Sequence, residues 1–255
     1  MIFGTDGDLL VPTDHARSPW DPGMQHGGAV SAVLARALER VAPDFQLARL
    51  TVDLLAPVPL APFRVDADVW KPGRRLQLAR ATLTMQDGRE MARAGAVLLH
   101  RQELHDLPED TAGPPLPGKP GEGELDDFDR GTDDAFHRTG VEMRWIEGTW
   151  RRGPGTVWVR LAHPVVDDED PTPAMRAAAA ADFSLGVSRV LAIREWIFIN
   201  PDLTVQLHRP PVGEWVALDA RSIAEPGGVG LSIATLHDGS GPVGTAQQTL
   251  YITPR

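Results

Sequence analysis

The sequence predicts an α+β protein made of two copies of one unit, a helix followed by an antiparallel meander. Residues Leu50 to Leu83 reappear without a gap at Leu203 to Leu236, with eleven identities in 34 aligned positions, far more than composition alone gives. Leu50, Thr51, Val52, Leu54, Pro57, Asp66, Ala67, Leu78, Ala81, Thr82 and Leu83 carry the match. Both copies are preceded by a helix of small residues and followed by an Asp-Gly turn and a last strand, which is the signature of a duplicated supersecondary unit. Helix plus meander buries its apolar surface only if the sheet wraps the helix.

The first unit opens with an apolar stretch near Leu9 to Val11 and the loop Ser18-Pro-Trp-Asp-Pro-Gly, leading to His26-Gly27-Gly28. A helix starts there. Val30, Val33, Leu34, Ala37, Leu38 and Val41 fall on one face at helical spacing, with Ser31, Arg36, Glu39 and Arg40 on the other, and Pro43 ends it. Strands follow at Leu47 to Leu55, Phe63 to Trp70, Leu76 to Met85 and Met91 to Leu99. Phe63, Val65, Ala67 and Val69 alternate with polar residues, and Gln86-Asp87-Gly88 forms the last turn.

The second unit has strand-like runs at Val141 to Trp150 and Thr156 to Leu161, then the acidic loop Asp167-Asp168-Glu169-Asp170. Thr172 reads as an N-cap and Pro173 as the first helical residue. The helix is expected to run through Ala177 to Ala181, Asp182 and Phe183 to about Ala192, its alanines admitting a close sheet. Strands at Asp202 to His208, Trp215 to Ile223, Leu231 to His237 and Val243 to Ile252 complete the copy. The expected division is an N-terminal unit at 1–105, a Pro/Gly/acid-rich linker or flap at 106–140, and a C-terminal unit at 141–255.

Composition narrows the function classes. A chain of 255 residues with 42% hydrophobic and 24% charged residues is globular. Its formal charge of -10 argues against general nucleic-acid binding, which needs clustered cations. Zero cysteines exclude disulfides, thiolate metal sites and a cysteine nucleophile. No stretch is apolar enough to span a bilayer and no export-type leader is evident, so the cytoplasm is the expected compartment. The Asp167 to Asp170 cluster lacks the glycine and ligand spacing of a calcium loop, so no metal is expected. Neither a Gly-x-Ser-x-Gly elbow nor a nucleotide loop after a strand is present.

The copies differ where chemistry would sit. Asp182 follows five alanines, where an unpaired buried carboxylate would cost several kcal/mol, so it needs partners or water. A pairing with Arg189 along the same helix is the structural alternative. On the strand from Asp202 to His208, Leu203, Val205 and Leu207 share one face, while Asn200 enters at the parity of Thr204. Gln248 lies in the last strand at the position matching Ala96, and a one-residue slip would exchange it with Gln247. A carboxylate and two amides of this kind can hold one water.

At these residues the chain resembles the double-hotdog acyl-CoA thioesterases of the type II, medium-to-long-chain class. The resemblance rests on Ala181-Asp182-Phe183, on Asn200-Pro-Asp-Leu-Thr-Val-Gln-Leu-His208-Arg209-Pro210, on Val243-Gly-Thr-Ala-Gln-Gln248, and on His26-Gly27-Gly28 with Leu50-Thr51-Val52. It covers nearly the whole chain except the linker, and implies two hotdog domains with their sheets joined edge to edge. It implies hydrolysis of acyl-CoA, or of an acyl-carrier thioester, with no cofactor. Asp182 would be general base and Gln248 a water-orienting amide. Asn200 stands where the family has Thr or Ser; it can accept from and donate to water but cannot relay a proton as a hydroxyl does. His26, Gly27 and Gly28 at the helix start, Thr204, and His208 and Arg209 as phosphate contacts are the expected substrate-binding residues. The rival readings are a non-catalytic acyl-CoA- or lipid-binding module and, on the same fold, hydration or dehydration of acyl thioesters, for which His26 is the available imidazole. Assembly into a homo-oligomer is compatible with the fold.

Overall fold

The computed structural model describes residues 1–105, 118–126, 133–150 and 152–255. The first copy comprises β1 (Phe3–Asp6), β2 (Leu9–Pro12), α1 (Gly27–Arg40), β3 (Phe45–Leu54), β4 (Phe63–Lys71), β5 (Leu76–Met85) and β6 (Glu90–His100). β7 (Glu124–Leu125) then pairs with β8 (Val141–Thr149), followed by β9 (Arg152–Leu161), α2 (Pro173–Ala181) and α3 (Ser184–Ser188). β10 (Trp196–Ile199), β11 (Asp202–Leu207), β12 (Trp215–Ala224), β13 (Val229–Asp238) and β14 (Gly241–Pro254) complete the chain. The flap expected at 106–140 falls partly outside the described residues. Phe136–Gly140 forms a turn of π-helix whose Phe136 reaches the helices.

Among the described residues all fourteen strands form one sheet, in the order β1-β2-β4-β5-β6-β3-β11-β14-β13-β12-β9-β8-β7, with β10 on the far end of β14. The halves are the same walk in opposite directions, joined where β3 pairs antiparallel with β11. At that junction Thr51 lies opposite Thr204, its own counterpart in the repeat, so a local two-fold axis passes between them. The duplication is therefore also the symmetry of the fold, a tandem hotdog. The sheet curls around the helices, burying Leu50 and Val52 of β3 and Leu203, Val205 and Leu207 of β11 on its inner face.

Small residues let the two main helices touch at the centre. Ala177, Ala178, Ala179, Ala180 and Ala181 are at most 1% exposed, and Gly28 to Ala35 of α1 are all buried. A Cβ at Gly28 would lie 2.7 Å from the Ala179 carbonyl oxygen and 2.8 Å from Phe136, so this glycine fixes the crossing. The alanines thus admit a helix as well as a sheet. Pairing across the helices is polar further out, where Glu169 bridges Arg36 and Arg40 of α1. The acidic loop is held by cations of the other copy.

The second helix departs from its expected course. It breaks at Asp182–Phe183 and ends at Ser188 rather than near Ala192. In an unbroken helix the Leu185 N–H would bond the Ala181 carbonyl. Here the Ser184 hydroxyl donates to that carbonyl at 2.6 Å, and Leu185 N donates to Gln248 Oε1 at 3.2 Å. The chain so released forms β10, which sequence inspection missed although Trp196-Ile-Phe-Ile199 is a run of strand formers. Its counterpart in the first copy is only the short link from Val41 to Asp44.

Candidate active site

Breaking the helix puts Asp182 at the C-cap of α2, its side chain 6% exposed, among groups from three other parts of the chain. Asn200, in the loop between β10 and β11, donates from Nδ2 to Asp182 Oδ1 at 3.0 Å. Gln248 donates from Nε2 to the same oxygen at 3.1 Å and to the Asp182 carbonyl at 3.3 Å. These charge-assisted bonds compensate the carboxylate for lost water. The amide orientation of Gln248 follows from its partners. Flipped, its oxygen would face the carboxylate and its NH2 would meet the Leu185 N–H.

On the other side of the carboxylate stands the start of α1. His26 Nδ1 is 3.1 Å from Asp182 Oδ2, and a Cβ at Gly27 would lie 2.8 Å from both carboxylate oxygens. The first N–H groups of a helix have no intrahelical acceptor. That of Gly28 is taken by His26 Nδ1 at 3.0 Å, whereas that of Gly27 makes no hydrogen bond among the described residues. The His26 ring is flanked by Phe136 and Phe183, with centroids 4.9 and 4.8 Å away.

Asp182, Asn200, His26 and Gly27 line a cavity of about 730 Å³. Its other walls are mainly apolar: Met24, Val30, Leu54, Val58 and the β10 residues from Trp196 to Ile199. Trp20, Leu55 and Ile199, all at least half exposed, stand on its rim with Asp21 and Arg255. An apolar pocket with a few convergent polar groups is the usual form of a small-molecule site.

The structure thus brings together Asp182, Asn200, Gln248, His26 and Gly27, and sets the other expected residues apart. Gln248 is 1% exposed and does not line the cavity, so it holds Asp182 rather than meeting the contents; Gln247 points outward. Asn200 lines the cavity, and its Oδ1 has no hydrogen-bond partner among the described residues. Gly28 serves the helix crossing. Thr204 faces away from the helices at the β3–β11 junction, so the register in which it would replace Asn200 does not occur.

His208 and Arg209 lie beyond the far end of β11, off the cavity lining. Arg209 is bidentate to the buried Asp238, which also accepts from Val212 N and Ser240 N, each at 2.8 Å. Burial pushes the Asp238 carboxyl up, but these donors outweigh it and bring it to about 2. Arg209 is thereby a structural clamp and is not free for a phosphate. Arg189, the alternative partner of Asp182, donates instead to the Trp150 carbonyl.

Sequence reasoning missed Gly27's contact with Asp182, the packing of Phe136 on His26, and β10. The Gly-Gly pair hinted at the first, but contact across copies has no local signature. Among the described residues no cluster of three or more His, Cys, Asp or Glu could hold a metal, and no helix is long and apolar enough to cross a membrane.

Two helices wrapped by one curled sheet, with a buried carboxylate at a break in the second copy's helix and against the helix start of the first, make a tandem hotdog with one asymmetric candidate site. Residues 16–99 match the acyl-CoA thioesterase N-terminal domain, and residues 106–252 the acyl-CoA thioesterase C-terminal domain. The chain belongs to the acyl-CoA thioesterase family and is an enzyme of the thioesterase class. Among solved structures it is similar to a putative thioesterase from Novosphingobium aromaticivorans, at 24% identity over 98% of each chain with a TM-score of 0.75. It is also similar to a putative thioesterase II from Thermobifida fusca, at 16% identity over 99% of this chain and 95% of that one, TM-score 0.76. A hot dog fold protein of unknown function from Alicyclobacillus acidocaldarius aligns at 20% identity over 98% and 95%, TM-score 0.73. These likenesses establish the fold. No curated protein matches the chain.

Proposed function

We propose that the cavity hydrolyses acyl-CoA thioesters by direct attack of water, with Asp182 as general base. The observation that carries this reading is one carboxylate, held by two amides, against Gly27 at the start of α1, whose N–H is unbonded among the described residues, on the wall of an apolar cavity. Water bonded to Asp182 and to Asn200 Oδ1 attacks the thioester carbon as its proton passes to Asp182. The developing oxyanion takes the Gly27 N–H and the positive end of the α1 dipole. The C–S bond then breaks, and the departing thiolate receives the proton from Asp182. Gln248 keeps the carboxylate aimed. The units at 1–105 and 141–255 are both needed, since each supplies one side of this arrangement.

Thiol release from acyl-CoAs of graded length, by wild type beside Asp182→Asn, tests it. Loss of a positioned base costs about 10²–10⁴-fold, so the variant should fall by that factor with a near-normal melting temperature. An unchanged rate would place the site elsewhere, and saturable binding without turnover in both proteins would make this a binding module. Hydration of a 2-enoyl thioester is a second reading, favoured by the imidazole beside the carboxylate. Water addition to an enoyl-CoA faster than thiol release would establish it.

A further inference from the structure

His26 Nδ1 has two neighbours with opposite demands. Gly28 N–H, 3.0 Å away, needs a bare nitrogen to accept it, whereas Asp182 Oδ2, 3.1 Å away, is attracted only to a protonated one. One nitrogen cannot satisfy both. With Nδ1 bare, neutral His26 caps α1, carries its proton on Nε2, and leaves Asp182 Oδ2 free. With Nδ1 protonated, the cap bond is lost and the imidazolium pairs with the carboxylate. Phe136 and Phe183 flank the ring, so the exchange takes place without its turning away.

We propose that His26 is a positioning residue that acts through Asp182, a proton-dependent cap that frees the carboxylate for water when neutral and occupies it when charged. This rests on the reading of Asp182 as the base. The loss of activity toward acid is then set by His26. Among the described residues the other charged groups lining the cavity are Asp21, from the loop before α1, and Arg255, at the end of the chain, while the turn that carries Phe136 onto the ring also contains His137 and Arg138.

His26→Asn separates capping from titration. Asparagine is a good N-cap and can accept from Gly28 N–H, yet carries no titrating proton. In wild type, kcat/KM should fall about tenfold per pH unit along the acid limb of its pH profile. In His26→Asn that limb should disappear or move about one unit or more toward acid. The Gly28 amide resonance gives a readout independent of turnover. It should move with pH in wild type, with the midpoint of the activity limb, and stay fixed in His26→Asn. An acid limb unchanged in His26→Asn, or a Gly28 amide in wild type indifferent to pH between about 8 and 5, overturns the proposal. If His26→Asn does not fold, the wild-type Gly28 titration decides alone. Absence of thiol release at every pH with that titration present would instead overturn the thioesterase reading.

Discussion

Gly27→Ala isolates the contact between the two copies. A Cβ there would stand 2.8 Å from each Asp182 carboxylate oxygen and 3.0 Å from its Cγ. Ordinary contact begins near 3.4 Å, so the carboxylate must retreat by roughly half an ångström. It cannot do so without stretching its bonds to Asn200 and Gln248, now 3.0 and 3.1 Å. Misplacement of a reacting group by about 1 Å can cost 10²-fold, so we expect kcat/KM for thiol release to drop by about 10- to 100-fold. Stability should fall by no more than about 2 kcal/mol. Alanine is favoured over glycine in a helix by up to about 1 kcal/mol, which offsets much of an overpacking cost of about 1 to 3 kcal/mol. The adjacent Gly28→Ala is the control. Its Cβ meets the Ala179 carbonyl, which is backbone and cannot yield, so it should lower the melting temperature markedly. A Gly27→Ala enzyme within threefold of wild type would refute the placement of Asp182 against the start of α1.

Gln248→Met keeps the volume but leaves Leu185 N–H without its acceptor and Asp182 with one donor fewer; it should cost about 1 to 3 kcal/mol in denaturant unfolding and lower kcat, and an unchanged midpoint would contradict the helix-break argument. The ionised Asp238 contributes roughly 2 kcal/mol above about pH 4, lost as pH falls through the folded value of about 2. Asp238→Asn should flatten that acid slope in thermal melts, and a slope equal to wild type would contradict the clamp. Burial, and then His15 stacked at 4.1 Å, hold the His163 imidazole below its usual value. Its stabilising effect is therefore complete above about pH 6.5 and declines as pH falls. Urea midpoints should decrease between about pH 7 and 5 in wild type and less so in His163→Gln, with equal decreases counting against it.

Much of the fold is legible because strands write period-2 patterns and the duplication writes them twice. Leu76 to Met85 becomes β5 at those bounds, and its counterpart at Val229–Asp238 becomes β13. The joint between halves, where Thr51 meets Thr204, falls inside the repeat, but only the strand pairing locates it. The path of the second helix is not legible, since Ala181-Asp182-Phe183-Ser184 contains no proline or glycine. The break depends on Gln248, 63 residues beyond Leu185, accepting an N–H that the helix gives up. Arg209 beside His208 and Pro210 suggested a phosphate contact because sequence shows a cation but not the Asp238 that consumes it. Asp182 stood out because a carboxylate after five alanines needs partners, and Asn200 and Gln248 supply them.

The central claim is that water, not the Asp182 carboxylate, attacks the thioester carbon. Rapid-quench kinetics with a good acyl-CoA substrate and enzyme near substrate concentration tests it most directly. Direct attack predicts that thiol and free acid appear together from the first turnover, with no acyl group on the protein and, in H₂¹⁸O, the label in the acid and not in Asp182. A burst of thiol equal to the enzyme concentration ahead of the acid, with acyl-protein trapped at Asp182, would contradict the account.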